Sequence, residues 1–399
     1  MSKYFDALET RSADERTSAL IDGLRAQIDR ARAAKNACQL DGPEIKSLSD
    51  LAKYPVLRKS DLSRWQKKSP PFGGFAVKKP AHIFQSPGPI YEPGGISHDW
   101  WRMGRFLHAC GIGEGDIVQN CFGYHLTPAG MIFENGAQAV GASVLPAGVG
   151  QTELQVRAAA DIGTTAYAGT PDYLKIILDR ADADGVKLKI TKAAVGGGAL
   201  FPSLRQEYAD RGVTCLQSYA TADLGNIAYE SEAMEGMIVD EGVIVEIVRP
   251  GTGDPVASGE VGEVVVTTLN PDYPLIRFAT GDLSAVLTGT SPCGRTNMRI
   301  KGWMGRADQT AKIKGMFVRP EQVADFVAKH AEVSKARVIA TREGEMDAMT
   351  VQVEADGGDA ESYAKSVVET LKLKGKIELV APGSLPNDGI VIDDKRVYD

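Results

Sequence analysis

Ile117-Val118-Gln119-Asn120, a helical pattern over 129–140, Ala142-Ser143-Val144-Leu145-Pro146, a helical pattern over 152–160, Thr165-Ala166-Tyr167-Ala168-Gly169, a helical pattern over 171–183 and Lys192-Ala193-Ala194-Val195-Gly196: the order of these runs decides the fold. Each apolar run is too short for a helix and is followed by a segment in which apolar residues recur every three or four positions. Strands covered on both faces by crossover helices read this way, because neither face needs polar residues. The alternation predicts an α/β chain with a doubly wound, mainly parallel sheet.

Outward from this core the pattern changes. Toward the N-terminus, residues 13–35 read as an amphipathic helix with Leu20, Ile21, Leu24 and Ile28 on one stripe. Ser47-Leu48-Ser49-Asp50-Leu51 and Leu57-Arg58-Lys59-Ser60-Asp61-Leu62 read as Ser-capped helix starts. After residue 230, Met237-Ile238-Val239, the run 243–248 and the run 261–268 are β-rich and separated by Gly, Pro and Asp turns. They predict an antiparallel subdomain. From Pro320 the order is helix 321–330, strand 337–341, strand 349–354, helix 359–373 and strand 377–380, a small α+β module. A chain of 399 residues needs more than one core.

Composition narrows the function classes. With 43% hydrophobic and 24% charged residues the chain is an ordinary globular one. A net charge of −7 argues against a nucleic-acid partner. An anionic cofactor would need a local basic site, which the Lys/Arg cluster from Arg295 to Arg319 provides. The five cysteines are scattered and odd in number, which argues against a disulfide framework and for a reducing compartment. The N-terminus has no apolar signal core, and no apolar run approaches the about 20 residues of a membrane span. The reading is cytoplasmic.

Several segments suit chemistry. Val195-Gly196-Gly197-Gly198-Ala199-Leu200-Phe201-Pro202 lets a flat ligand approach the backbone, although taken alone it is a tight β-to-α turn. The next strand, Cys215-Leu216-Gln217-Ser218, runs into Tyr219-Ala220-Thr221-Ala222-Asp223-Leu224-Gly225, and strand ends of open parallel sheets are where ligands sit. Taken alone, Asp223 reads as the cap of a following helix. Downstream come Arg277-Phe278-Ala279-Thr280-Gly281-Asp282, and then Gly305-Arg306-Ala307-Asp308, which leads into Lys312-Ile313-Lys314-Gly315 and the helix start Pro320-Glu321.

In this order the segments resemble the adenylate-forming acyl-CoA synthetases, most nearly the phenylacetate-CoA ligase branch. The match extends from Tyr4-Phe5-Asp6 through the run 45–52 to the C-terminal module. The resemblance implies a site for ATP or AMP lined by Ser86, Gly197, Gly198, Ala199, Ser218, Tyr219, Ala220 and Thr221. Tyr219 would pack on adenine, and Asp223, standing where the family has Glu, would hold Mg²⁺. Asp282 would accept both ribose hydroxyls, and Arg306 would reach ribose or phosphate oxygens. Tyr124 and His125 would line the acyl pocket. Asp308 would be the hinge, and Lys314 and Gly315 would enter the tunnel for the coenzyme A thiol. The implied division is an adenylation domain over 1–307 and a mobile C-terminal domain over 308–399.

Three elements depart from the family pattern. Where the family has a loop of the type Ser-Ser-Gly-Thr-Thr-Gly-Lys-Pro, this chain has Gln85-Ser86-Pro87-Gly88-Pro89-Ile90-Tyr91-Glu92-Pro93-Gly94-Gly95. Its prolines lack the N–H groups that cradle phosphate, and Glu92 adds negative charge beside a polyanion. AMP or acyl-AMP is therefore expected to bind tighter than ATP. The family's C-terminal lysine has Lys395 as its candidate, but alignment on Asn387-Asp388-Gly389 puts Ile390 in its place. Only Cys293 remains of the cluster that carries zinc in some relatives, so no structural zinc is expected.

The function expected is an AMP-forming carboxylate–CoA ligase that activates a small aromatic or apolar acid, with ATP, Mg²⁺ and coenzyme A as cofactors. Two alternatives stay open. One is a degenerate member that binds nucleotide or acyl-CoA without adenylation; the other is an acyl transferase using a pre-activated donor. The partners expected are the acid and coenzyme A, with no nucleic acid and no membrane; a homodimer is compatible with the sequence.

Overall fold

The computed structural model describes residues 2–34, 40–307, 309–313, 316–343 and 346–396. Asp308, Lys314 and Gly315, the expected hinge and tunnel residues, lie outside them, as does Cys38. The chain forms two compact units. One comprises Met1–Val245, Val266–Phe278 and Leu287–Gly302; the other comprises Glu246–Val265, Ala279–Val286 and Trp303–Asp399.

In the first unit, parallel strands lie in the order Thr214–Thr221, Lys192–Val195, Ala166–Gly169, Ile117–Asn120 and Ser143–Leu145. Successive side chains of a strand point to opposite faces. Accordingly Ala166, Ala168, Ala194 and Leu216 enter one buried cluster with Phe106, Ile132 and Phe133. Tyr167, Ala193, Val195 and Cys215 enter another with Leu174, Leu178 and Tyr208. Helices Gly104–Ala109 and Ala129–Ala139 cover the first face, and Pro171–Ala183 and Pro202–Asp210 the second. The sheet is doubly wound, as the alternation predicts.

Beyond Thr214–Thr221 the sheet turns antiparallel, through Gly225–Tyr229, Met237–Val239 and Arg299–Ile300. Asp223 therefore lies in a strand-to-strand turn, which corrects the reading of it as a helix cap. The turn needs Gly225, whose φ is +73° and whose added Cβ would meet the Trp101 carbonyl oxygen at 2.6 Å. The segment that follows it, 225–229, is buried throughout.

The proline-bearing stretch is also more ordered than a loop. His82–Ser86 pairs antiparallel with Ile90–Gly94, with Phe84 opposite Glu92 and Ser86 opposite Ile90. The Gln66 amide clamps this hairpin, accepting from Tyr91 N at 2.9 Å and donating to its carbonyl at 2.7 Å. Helix Ala13–Ala33 begins at Ser12 with a capping box. The helix expected from Leu57 begins later, at Lys59, because Leu57–Arg58 is a short strand.

The C-terminal part of the second unit has a sheet in the order Lys376–Val380, Met346–Ala355, Val333–Glu343 and Ile392–Asp394. The central pair is antiparallel and the outer two pairings are parallel. Helices Pro320–Ala328 and Ala360–Leu371 contribute Val323, Phe326, Tyr363 and Val367 to a core shared with Ile313, Val338 and Val351. The last strand is a finding of the structure; three residues are too few for a periodicity to declare itself.

Candidate nucleotide and acyl site

In the first unit the glycine turn follows strand Lys192–Val195 and precedes helix Pro202–Asp210. Gly197 has φ +68°. The turn lies beside the neighbouring strand: a Cβ on Gly196 would be 3.2 Å from Ser218 Oγ. That hydroxyl is buried without a hydrogen-bond partner. An aromatic pair borders the same turn. Phe122 and Phe133 stack with centroids 4.3 Å apart, and Phe122 Cε1 would lie 3.7 Å from a Cβ on Gly197. The structure thus brings together Gly196, Gly197, Ser218 and a buried aromatic pair of the core that the sequence pattern did not single out.

The neighbouring expected residues are placed as follows. Tyr219 is 9% exposed and Thr221 Oγ1 accepts the Leu224 N–H at 3.2 Å. The Tyr124 hydroxyl accepts from Asn120 Nδ2 at 2.8 Å and donates to Glu134 at 2.8 Å. Burial, and then Glu134, push its pKa up. That hydroxyl is committed within its own loop and helix, and His125 is exposed.

Asp223 is the centre of a buried charge cluster. Its side chain is wholly buried, and Oδ2 accepts an ion-paired hydrogen bond from Lys59 Nζ at 2.6 Å. Glu92 is 0% exposed, and neither of its oxygens has a partner in hydrogen-bond geometry. Burial first, and then the charge of Asp223, push its pKa up to about 7; Ser86 and Lys59 offset part of the rise. Asp223 Oδ1 and Tyr273 Oη are also buried without partners. Tyr273 is raised well above its ordinary value by burial and by both carboxylates. A divalent ion on Asp223 fits this arrangement poorly, because an ammonium already holds Oδ2 and an ion on the remaining oxygen, Oδ1, would sit beside that ammonium in a buried site. One sequence signal marks Lys59. It is the first residue of helix Lys59–Lys68, at the end where the helix dipole disfavours a cation, so a local carboxylate partner is called for.

In the second unit Asp282 and Arg306 come together as an antiparallel bridge. Arg306 Nη1 donates to Asp282 Oδ1 at 2.8 Å, and Trp303 Nε1 donates to the same oxygen at 3.2 Å. Gly281 allows this approach: its φ is +75°, and a Cβ there would lie 2.7 Å from Arg306 Nη2. Trp303 is a further residue that sequence reasoning missed.

In the tail, Lys395 Nζ is exposed and lies 3.4 Å from Asp393 Oδ2. Ile390 lines a cavity of about 70 Å³ with Pro320, Val323, Val327, Ala336 and Val391. Gln309 holds this stretch, donating to the Gly389 carbonyl at 2.8 Å and accepting from Ile392 N at 2.9 Å. Cys110, Cys121, Cys215 and Cys293 are free and buried. Among the described residues no group of three or more His, Cys, Asp or Glu side chains is placed to hold a metal ion. Among the same residues no helix is long and apolar enough to cross a membrane.

A doubly wound sheet with a glycine turn, a strand-end Tyr-x-Thr-x-Asp and a downstream Gly-Asp paired with arginine are the features in which the chain resembles the adenylate-forming acid–CoA ligases. Comparison with known proteins agrees. The chain is 29% identical over 375 residues to a phenylacetate-coenzyme A ligase of Aromatoleum evansii, covering 88% of this chain and 84% of that one. It is 28% identical to that of Thermus thermophilus, covering 86% and 80%, and 29% identical to that of Escherichia coli, covering 88% and 84%. No protein-family model matches. Among solved structures, an open conformation of 2-hydroxyisobutyryl-CoA ligase in complex with 2-HIB-AMP and CoA shares the fold. Its TM-score is 0.71 at 23% identity, over 96% of this chain and 92% of that one. These similarities support an AMP-forming acid–CoA ligase resembling the phenylacetate-coenzyme A ligases.

Proposed function

We propose that this chain activates a small aromatic or otherwise apolar carboxylic acid and passes it to coenzyme A. The observation that carries the substrate class is the Phe122–Phe133 pair beside the glycine turn, an apolar wall suited to a flat acyl group. In the first half-reaction the substrate carboxylate attacks the α-phosphorus of ATP and pyrophosphate leaves. In the second the coenzyme A thiolate attacks the acyl carbon and AMP leaves. Tyr219, Gly197, Gly198, Ala199, Ser218, Ala220 and Thr221 are proposed to hold the adenylate, with Asp282 and Arg306 on the ribose. Arg306 already polarises the Asp282 carboxylate through a charge-assisted bond. Residues 308–399 are proposed to move as a unit about Asp308, bringing Lys314 and Gly315 to the thiol path. Lys395 is proposed to offset charge developing on phosphate in the first half-reaction.

A second reading has its own support. Ile390 lines a largely apolar cavity, Gln309 ties down the backbone around it, and Lys335, which also lines it, is bonded to the Pro386 carbonyl and Asn387 Oδ1, so in the Asn-Asp-Gly register the tail itself offers an isoleucine rather than a lysine. A member that begins from a preformed adenylate, or only binds one, fits that tail. Pyrophosphate release on mixing the chain, ATP, Mg²⁺ and a panel of acids separates the two. Release with an aryl or short apolar acid supports the ligase. Tight binding of a synthetic acyl-AMP without release supports the second reading.

A further inference from the structure

We propose that the Lys59 ammonium is the resident cation of the Asp223 site, holding that carboxylate in place of a divalent metal and turning its remaining donors toward the phosphoryl group of a bound adenylate. The geometry carries this. Lys59 Nζ lies 2.6 Å from Oδ2 of a carboxylate that is wholly buried, while the lysine side chain itself is 31% exposed. An ammonium has three donors, and Asp223 accepts one of them. The open side of the head group therefore keeps N–H donors for an incoming anion.

The surroundings already carry one cation on Asp223, and among the described residues no group of three or more His, Cys, Asp or Glu side chains is placed to hold a metal ion. Glu92 lies fully buried near Asp223, and Tyr273 Oη is buried without a partner close enough to feel both carboxylates. A divalent ion on the second oxygen, Oδ1, would share one buried carboxylate with the ammonium and leave a lysine and a dication side by side. The hairpin supplies the need for a donor. Pro87, Pro89 and Pro93 carry no N–H, and a lysine at this place replaces donors that the loop lacks. The expected Mg²⁺ at Asp223 and the structure disagree, and the lysine is the physical reason.

This inference rests on the nucleotide reading above, so the test has one arm that does not. First, Mn²⁺ is titrated into the full chain without nucleotide and followed by electron paramagnetic resonance. The wild type is expected to show no stoichiometric Mn²⁺ site. Lys59→Met vacates Asp223 and is expected to create one, which Lys59→Met combined with Asp223→Asn loses. A stoichiometric Mn²⁺ site in the wild type that Asp223→Asn abolishes overturns the proposal. Second, AMP is titrated by calorimetry in EDTA and in Mg²⁺. The wild type should bind equally in both, and Lys59→Met should bind about ten- to a hundredfold more weakly in EDTA, the scale of one charge-assisted bond. Lys59→Arg keeps the charge and should recover part of the affinity if the variant retains its circular dichroism. A tenfold loss of wild-type AMP affinity in EDTA, or no loss in Lys59→Met, overturns the proposal. If AMP binds in neither buffer, the nucleotide reading fails, and the Mn²⁺ arm still decides whether lysine or metal holds Asp223.

Discussion

Glu92→Gln is nearly isosteric and removes a titrating group that has no water-exposed surface of its own. In the folded chain that group titrates at about 7 against an ordinary 4.5, raised first by burial and then by Asp223. The sign follows from linkage. A carboxyl whose folded pKa is raised leaves stability fully present below its unfolded pKa, and that stability is lost as pH rises through the folded value. At about 1.4 kcal/mol per unit, the wild type should lose roughly 3 kcal/mol from this group between acid and mildly alkaline pH. The glutamine variant should not. Urea unfolding of both proteins, followed by tryptophan fluorescence at several pH values from about 5 to 8, measures the difference. Trp65, Trp100 and Trp101 lie in the first unit and report on it. The variant should be close to wild type at the acid end and more stable by roughly 2–3 kcal/mol at the alkaline end. A difference that stays constant with pH would refute the argument that Glu92 is held neutral by its surroundings.

Four further outcomes are expected. Asp282→Ala should weaken AMP binding by about 1.5–3 kcal/mol in calorimetry, the scale of hydrogen bonds to a charged acceptor; unchanged affinity removes Asp282 from the ribose. Gly281→Ala forces a left-handed residue and a Cβ 2.7 Å from Arg306 Nη2, so thermal unfolding should fall by an amount equivalent to about 1–3 kcal/mol. Glu9→Ala leaves buried Arg295 with the more exposed Glu232 as its remaining carboxylate and takes the acceptor from Tyr229 Oη, so urea unfolding should show a loss of about 3 kcal/mol. Lys395→Ala should depress acyl-AMP formation and spare thioester formation from synthetic acyl-AMP; no change in either half-reaction would favour the Ile390 register.

The parts of the fold legible in the sequence are those that repeat. Strands 117–120, 166–169 and 192–195 declare themselves because both faces are buried and the helices between them keep a 3.6-residue period. The hairpin at 82–94 did not, because Pro87, Pro89 and Pro93 suppress any strand reading and the pairing is stabilised from outside by Gln66. Strand Gly225–Tyr229 was hidden for a similar reason: its defining feature is the contact of Gly225 with the Trp101 backbone, distant in sequence. In the candidate site, Asp223, Asp282 and Arg306 stood out through motif order. Glu92 stood out only as a charge in the wrong loop. Its burial, and its proximity to Lys59 and Tyr273, depend on three segments far apart in the chain. Gln309 is the same case in the tail, since its partners lie about eighty residues on, at Gly389, Val391 and Ile392.

The central claim is that this chain forms an acyl-adenylate from ATP and an acid and turns it into a thioester. The most direct measurement supplies the full-length protein with ATP, Mg²⁺, coenzyme A and a panel of aryl and short apolar acids, and assays AMP and acyl-CoA together. The account predicts that at least one acid of the panel yields AMP and acyl-CoA in equal amounts, with pyrophosphate rather than orthophosphate as the other product. An absence of AMP and pyrophosphate with every acid, from a protein that binds AMP by calorimetry and converts a synthetic acyl-AMP to acyl-CoA, would contradict it.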